Sequence, residues 1–368
     1  MRILSIEISA FRNIARQVVE PGPGLNVVLG SNGQGKTNLV EAIAFASWLR
    51  SFRTSRTSDL VASGGEAAHL ALAVESGGAR RHLEVSIAAG VRRASLDGSP
   101  VRSARDALSA LVVACLSPDD PAVLEGGPDG RRALLDRFAV LLDPPRTALL
   151  SRHSRLLRER NALLRSGPEA WDEAQMDATE EALAAAGAEL LAVRRAALAE
   201  VVARLPAILA PLAGGPMPVS IRYASRWAPR EGTAAPAGTA AQLRAAMREV
   251  RVRDSALGYT SRGAHADDVE FELLGLAAKG HASRGQRKLV MLAWKAAEAA
   301  ALAETRGEAP VLVLDDALAD LDADRQEAVV AFLHAHEGQS FVTGAIVPGQ
   351  AIVGATVFRA SAGAFERV

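Results

Sequence analysis

The feature that most constrains this chain is a glycine-rich segment between an apolar strand and an amphipathic helix. Residues 25–29 are mostly apolar, and residues 38–45 carry apolar side chains at helical spacing. The segment between them fits the pattern G-x-x-x-x-G-K-[ST] and reads Gly30-Ser31-Asn32-Gly33-Gln34-Gly35-Lys36-Thr37. Strand, glycine-rich loop and helix in this order predict a loop that wraps the phosphates of a nucleotide.

Each part of this segment has a chemical reason. The backbone N–H groups of residues 30–35 can surround a phosphate, and the N-terminus of the following helix adds a positive field. Lys36 is expected to reach the β- and γ-phosphates, and the hydroxyl of Thr37 is expected to bind Mg²⁺. The motif therefore predicts a bound nucleotide with Mg²⁺, and the family resemblances described below imply that the nucleotide is ATP.

A second motif lies near the other end of the chain. Residues 311–314 are four branched apolar residues, typical of a buried strand, and Asp315 and Asp316 follow them. Beside a phosphate loop, Asp315 would hold Mg²⁺ directly or through water, and Asp316 would orient or deprotonate the attacking water. By itself the motif also fits a strand that ends in a solvated turn. The long stretch between the two motifs predicts a large insertion.

A Ser-x-Gly-Gln turn precedes the acidic strand, where Ser283, Gly285 and Gln286 open a predicted helix. A small hydroxyl, an unhindered glycine and a helix N-terminus make an anion receptor, although a plain helix cap has the same pattern. The turn resembles the signature motif of ABC ATPases, which reads the γ-phosphate held by the opposite subunit. The residues after the acidic strand resemble the D-loop, so the resemblance places Ala319, Asp320 and Asp322 at a dimer interface. Thr343 stands at the switch position, where histidine is common.

Several further segments resemble the RecF family. They are residues 4–14, which end in Phe-Arg-Asn, and 51–54, 117–120, 126–136, 158–164 and 263–268. The resemblance covers nearly the whole chain and implies that Arg12 binds ATP. Departures are Phe52, Ala264 and Ala266, where the family has histidine, proline and arginine. No glutamine occurs between Gln34 and Gln175, so a transporter-like Q-loop is absent.

The resemblance implies an ATP-dependent DNA clamp of recombinational gap repair, replication-fork maintenance and the SOS response. ATP would drive a homodimer at duplex DNA beside single-stranded gaps, and weak, DNA-dependent hydrolysis would release it. The implied partners are the RecO and RecR proteins, which help to load recombinase. The alternatives are an ABC-type transport ATPase subunit and an ATP-binding scaffold that does not hydrolyse ATP.

The predicted fold class is α/β: an ABC/SMC-type ATPase head assembled from residues 1–125 and 255–368. Residues 126–254 are predicted to form a mostly helical arm. Within it, Arg152, Arg155 and Arg158 lie on a basic helix that could follow a DNA backbone, although these charges could equally pair with acids or face solvent. Residues 229–240 are of low complexity and are expected to be a loop.

Composition limits how the chain could bind DNA and where it works. The formal net charge is zero, so DNA binding requires a local basic patch. Hydrophobic residues make up 49% of the chain without a continuous apolar run of membrane-spanning length, which predicts a globular protein and no membrane contact. The single cysteine, Cys115, excludes an internal disulfide and fits a reducing cytoplasm.

Overall fold

The computed structural model describes residues 1–167, 169–170, 172–228 and 236–368. The strands of this part of the chain are β1 (Arg2–Phe11), β2 (Ile14–Val19), β3 (Leu25–Leu29), β4 (Ala67–Ser76), β5 (Ala79–Ala88), β6 (Val91–Leu96), β7 (Ser99–Pro100), β8 (Val113–Leu116), β9 (Val219–Ala224), β10 (Asp268–Leu273), β11 (Leu276–Ala277), β12 (Val311–Leu314), β13 (Ser340–Gly344), β14 (Thr356–Ser361) and β15 (Ala364–Arg367).

The helices of the same part of the chain are α1 (Lys36–Trp48), α2 (Ala104–Ala110), α3 (Pro128–Leu142), α4 (Arg146–Ser166), α5 (Glu173–Ala213), α6 (Pro236–Glu249), α7 (Arg251–Leu257), α8 (Ala278–His281), α9 (Arg284–Arg306), α10 (Ala323–Ala335) and α11 (Gly349–Ile352). The expected loop at 229–240 falls partly outside the described residues, and from Pro236 onward the chain is helical in α6.

The first compact unit comprises residues 1–122, 203–217 and 282–368, and it contains two large sheets. One sheet is antiparallel, with the order β2-β1-β4-β5-β6-β7. The other has the order β15-β14-β3-β13-β12-β8 and is parallel except for β15. The helix after the phosphate loop, α1, is apolar on nearly all sides and shares one core with both sheets. The predicted α/β class of the ABC/SMC ATPase head is confirmed.

The second compact unit comprises residues 123–202 and 218–281. Its core joins α4, α5 and α6 through residues such as Leu156, Leu183, Leu190 and Leu243. It also contains the three-stranded antiparallel sheet β11-β10-β9, so it is not purely helical. Residues 255–281, which were predicted to belong to the ATPase head, cluster with this unit, because β10 pairs with β9 along its whole length. Residues 203–217, which were predicted to belong to the arm, cluster instead with the first unit.

One helix in the described part of the chain, α5, is long and apolar enough to cross a bilayer by length and composition alone. This is weak evidence for a membrane span, because core helices of globular proteins meet the same criteria. Leu183 and Leu190 of α5 are buried in the core of the second unit, which accounts for part of its apolar character.

Candidate functional site

The phosphate loop runs from the end of β3 to the start of α1, and two of its glycines are required by sterics. Gly35 has φ +103°, and a Cβ atom there would lie 2.8 Å from Oδ1 of Asn13. A Cβ atom on Gly30 would lie 2.6 Å from the carbonyl oxygen of Ala360. A side chain at Gly30 would therefore push the loop away from β14, and at Gly35 the left-handed φ angle would strain any residue other than glycine.

The loop is held from two sides by hairpin turns. Asn13, in the turn between β1 and β2, donates from Nδ2 to the carbonyl oxygen of Gly33 at 3.3 Å. In the turn between β14 and β15, the N–H of Ala362 donates to Oε1 of Gln34 at 2.7 Å. Lys36 donates from Nζ to the carbonyl oxygens of Gly30 at 2.6 Å and Ser31 at 3.0 Å, so its ammonium group lies against the loop.

The acidic end of β12 lies beside this loop. Thr37 Oγ1 donates to Asp315 Oδ1 at 3.2 Å, and Thr343 Oγ1 donates to the same atom at 2.5 Å. Thr343 comes from β13, the strand between β3 and β12 in the sheet. The structure thus brings together residues from both ends of the chain, as the order of motifs predicted.

The atoms at this point suit a magnesium ion. Asp315 is 2% exposed, and burial raises the pKa of its carboxyl group above the usual value. Its Oδ2 atom is buried without a hydrogen-bond partner among the described residues. Carboxylate and hydroxyl oxygens are preferred Mg²⁺ ligands, and a bound cation would offset the cost of burying this charge. No group of three or more His, Cys, Asp or Glu side chains in the described ranges could hold a metal.

Ser283 caps α9, as its sequence pattern predicts. Its Oγ accepts the N–H of Gln286 at 3.2 Å, and Gln286 Oε1 accepts the N–H of Ser283 at 2.8 Å, which is a complete capping box. A Cβ atom on Gly285 would lie 3.2 Å from the carbonyl oxygen of Asp320, so the signature turn packs closely against the D-loop. In the single chain, this turn therefore acts as a helix cap. Anion binding by the turn stays a prediction.

The D-loop residues form the turn between β12 and α10. Asp320 has φ +62°, a left-handed conformation, and its side chain is largely exposed. Asp322 caps α10 by accepting the N–H of Arg325 at 3.0 Å. Ala319 accepts a hydrogen bond from Nζ of Lys288 at 2.6 Å. These contacts shape the loop within one chain, and its place in a dimer interface stays a prediction.

Glu41 on α1, which was not predicted as a site residue, binds the arginine side chains beside the phosphate loop. Its side chain is fully buried and accepts two hydrogen bonds from Arg12, at 2.9 and 2.7 Å. Arg53 donates to it at 3.1 Å and Ser51 Oγ at 2.5 Å. Its signal in the sequence is an acid within the otherwise apolar run 39–46, because a buried carboxylate needs paired cations. Arg12 is thus fixed near the phosphate loop, and its contact with ATP stays a prediction.

The three arm arginines proposed to touch DNA lie on α4. Arg152 pairs with Glu189, and Arg155 pairs with Glu159 at 2.8 Å. Arg158 donates from Nε to the carbonyl oxygen of Ser154 at 3.3 Å. Arg152 and Arg155 are therefore paired with acids, which is one of the alternatives that the sequence left open. Each would have to break its ion pair before it could bind a DNA phosphate.

Three further family-like segments, 126–136, 158–164 and 263–268, contribute ion pairs to the second unit. Arg131 of segment 126–136 forms a two-pronged ion pair with Asp268 of segment 263–268, at 2.8 and 2.9 Å. Arg160 of segment 158–164 is fully buried and donates to Asp254 at 2.8 Å and Glu180 at 2.9 Å. These ion pairs show that the three segments contribute to the packing of the second unit.

A phosphate loop after β3, an acidic pair after β12 and a capped Ser-x-Gly-Gln helix define a P-loop ATPase head of the ABC/SMC type. The family model described as "RecF/RecN/SMC N terminal domain" matches residues 2–347. The chain belongs to this family, and the two relatives described next are RecF proteins.

Two relatives illustrate the likeness. The DNA replication and repair protein RecF of Anaeromyxobacter sp. (strain K) is 39% identical over 348 residues, covering 93% of this chain and 92% of the relative. The protein of the same name from Myxococcus xanthus (strain DK1622) is 36% identical over 357 residues, covering 95% of this chain and 93% of the relative.

Solved structures give the same result. The recombination mediator protein RecF in complex with ATP, from the RecFOR pathway, matches with a TM-score of 0.89 at 27% identity, covering 100% of this chain and 97% of that one. The Smc head domain of Pyrococcus furiosus, bound to the C-terminal domain of ScpA, matches with a TM-score of 0.55 at 16% identity, covering 100% of this chain and 95% of that one. The second likeness shows the fold alone.

Proposed function

We propose that this protein is an ATP-dependent DNA clamp of recombinational gap repair and replication-fork maintenance. The observation that carries the proposal is the 3.2 Å contact between Thr37 of the phosphate loop and Asp315 of the acidic strand. It joins the two halves of a nucleotide site that are far apart in sequence. The RecF relatives named above, one of them solved with ATP, support the assignment to repair.

In this proposal Lys36 and the N–H groups of residues 30–35 bind the ATP phosphates, while Thr37 and Asp315 hold Mg²⁺. The ion, when bound, supplies positive charge to the phosphoryl group as it transfers. Asp316 orients or deprotonates the attacking water. Aspartate reaches less far than glutamate, so we expect slow hydrolysis that acts as a switch.

Two protomers would close in symmetry around two ATP molecules. The turn formed by Ser283, Gly285 and Gln286 would bind the γ-phosphate held by the partner, using the free N–H groups of a helix N-terminus. The D-loop residues Ala319, Asp320 and Asp322 would line the interface. Closure would capture DNA, and hydrolysis would open the clamp.

We infer duplex DNA beside single-stranded gaps as the target, with RecR and RecO proteins as partners in loading recombinase. Arg152, Arg155 and Arg158 are the proposed contacts on the arm. The proposed compartment is the cytoplasm, without a membrane partner, in keeping with the single buried cysteine.

The test is molecular mass by light scattering, with and without ATP–Mg²⁺ and with and without gapped duplex DNA. We compare wild type, Asp316→Asn and the control Asp129→Asn, which replaces a largely exposed aspartate on α3. We expect ATP to produce a dimer that captures DNA, and Asp316→Asn to prolong its lifetime. A protein that stays monomeric and ignores DNA in every state would contradict the clamp.

A further inference from the structure

Asp316 has an unusual backbone conformation for a residue directly after a buried strand. Its φ angle is +53°, in the left-handed region that non-glycine residues avoid because Cβ approaches the neighbouring carbonyl. Such a conformation persists only where surrounding contacts hold it. Side chains from two other elements, β13 and α9, provide these contacts.

On one side, Thr343 holds the N–H of Asp316. This N–H donates to Thr343 Oγ1 at 3.0 Å, and the same hydroxyl donates to Asp315 Oδ1 at 2.5 Å. The directions are fixed, because a backbone amide can only donate and the hydroxyl hydrogen is left for the carboxylate. Thr343 is fully buried, so one hydroxyl joins both members of the acidic pair away from water.

On the other side, Lys288 holds the carbonyl group of Asp316. Its Nζ donates to the carbonyl oxygens of Asp316 at 2.9 Å and Ala319 at 2.6 Å, and it lies 3.6 Å from a carboxylate oxygen of Asp320. Lys288 is 8% exposed. A compact ammonium with three hydrogens can serve two carbonyls of one tight turn, which a planar guanidinium could not do as closely.

We propose that Thr343 and Lys288 are positioning residues that hold Asp316 in its left-handed conformation from both ends of its backbone. This inference rests on the proposed ATP hydrolysis, since it concerns the residue placed next to the attacking water. Lys288 lies on α9, the helix that Ser283 caps. The turn proposed to meet the partner's ATP therefore shares one helix with the ammonium group that holds Asp316.

The variants are Thr343→Val, which keeps the shape but loses the hydroxyl, Thr343→Ser, which keeps the hydroxyl, and Lys288→Met. Lys279→Met, at an exposed lysine, is the control. The first measurement is hydrogen–deuterium exchange of residues 312–322 in the full chain without nucleotide. We expect faster exchange there in Thr343→Val and Lys288→Met, and wild-type exchange in Thr343→Ser and Lys279→Met. Wild-type exchange in both deficient variants would overturn the inference.

The second measurement separates binding from turnover. ATP affinity without Mg²⁺ is expected to stay within about threefold of wild type, while the single-turnover hydrolysis rate falls about 10- to 100-fold, the range for losing a group that orients a reacting centre. Thr343→Ser is expected to retain most of the rate. Two folded variants that exchange faster but hydrolyse ATP at the wild-type rate would overturn the positioning role. A wild-type protein that binds ATP and never hydrolyses it would instead contradict the proposed function.

Discussion

At the scale of single residues, His153 on α4 is a buried histidine held in its neutral form. It is 4% exposed, and its ring lies 6.1 Å from the ring of His265. Burial is the main cause that lowers its pKa from 6.5 to about 3, with His265 and Arg194 adding positive charge nearby. Burial also lowers the pKa of His265. The interior of the second unit therefore disfavours added protons.

This arrangement predicts stability that decreases with acid. The pKa of His153 is 6.5 in the unfolded chain and about 3 in the folded chain, so between these values the unfolded chain binds more protons. Lowering the pH through this range therefore favours unfolding. The slope is about 1.4 kcal/mol per pH unit for His153. Urea unfolding between pH 7 and pH 4 would measure it. His153→Gln should reduce the slope, and His69→Gln, at an exposed histidine of β4, should leave it unchanged. Equal slopes in wild type and both variants would contradict the assignment of this pH dependence to His153.

At the scale of elements, α4, α5 and α7 are joined by one buried ion network. Arg160 of α4 contacts Glu180 of α5 and Asp254 of α7, and all three side chains are 0% exposed. Arg251 adds a second guanidinium, at 2.6 Å from Glu180. The cost of burying these charges is offset only while each keeps its partner.

Replacing Arg160 should therefore destabilise the second unit far more than replacing a surface arginine. Arg160→Met leaves two buried carboxylates short of a cation, and we expect a loss of about 3–5 kcal/mol. Arg155→Met, which breaks an exposed pair on the same helix, should cost less than about 1 kcal/mol. Urea denaturation followed by circular dichroism tests both. Similar midpoints for the two variants would show that the buried network contributes little.

At the scale of the whole molecule, charge balance limits how this protein can attract DNA. The chain has 42 basic and 42 acidic side chains, not counting histidine, so there is no net long-range attraction for a polyanion. DNA binding must therefore come from a local basic surface. Of the proposed arm arginines, Arg152 is paired with Glu189 and Arg155 with Glu159.

Salt dependence of DNA binding can show how many phosphates those arginines neutralise. Each phosphate contact contributes about −0.9 to the slope of log Kobs against log salt for duplex DNA. We expect the triple variant Arg152→Gln, Arg155→Gln, Arg158→Gln to reduce the magnitude of the slope by about 1–3. The control replaces Arg2, Arg16 and Arg222, which are also exposed and are each paired with an acidic side chain. An unchanged slope would place the DNA surface elsewhere on the molecule.

The sequence by itself determined the elements whose signals are local. The phosphate loop, the apolar strand ending in Asp315 and Asp316, and the cap at Ser283 each follow from patterns within about a dozen residues. Their order along the chain, because it resembles the order of motifs in ABC ATPases, was enough to predict the ABC/SMC head. The alternation of apolar Val269, Phe271 and Leu273 with polar residues is also a local signal, and it marks β10.

Only the tertiary structure decided which distant side chains meet. Thr343 reaches Asp315 because β13 lies between β3 and β12, an order that no local pattern specifies. Glu41 pairs with Arg12 because α1 and the end of β1 pack into one core. Arg152 pairs with Glu189, which lies on α5. Local propensities act over a few residues, whereas contacts between charged and polar groups depend on how whole elements pack, so these partners could not be predicted from the sequence.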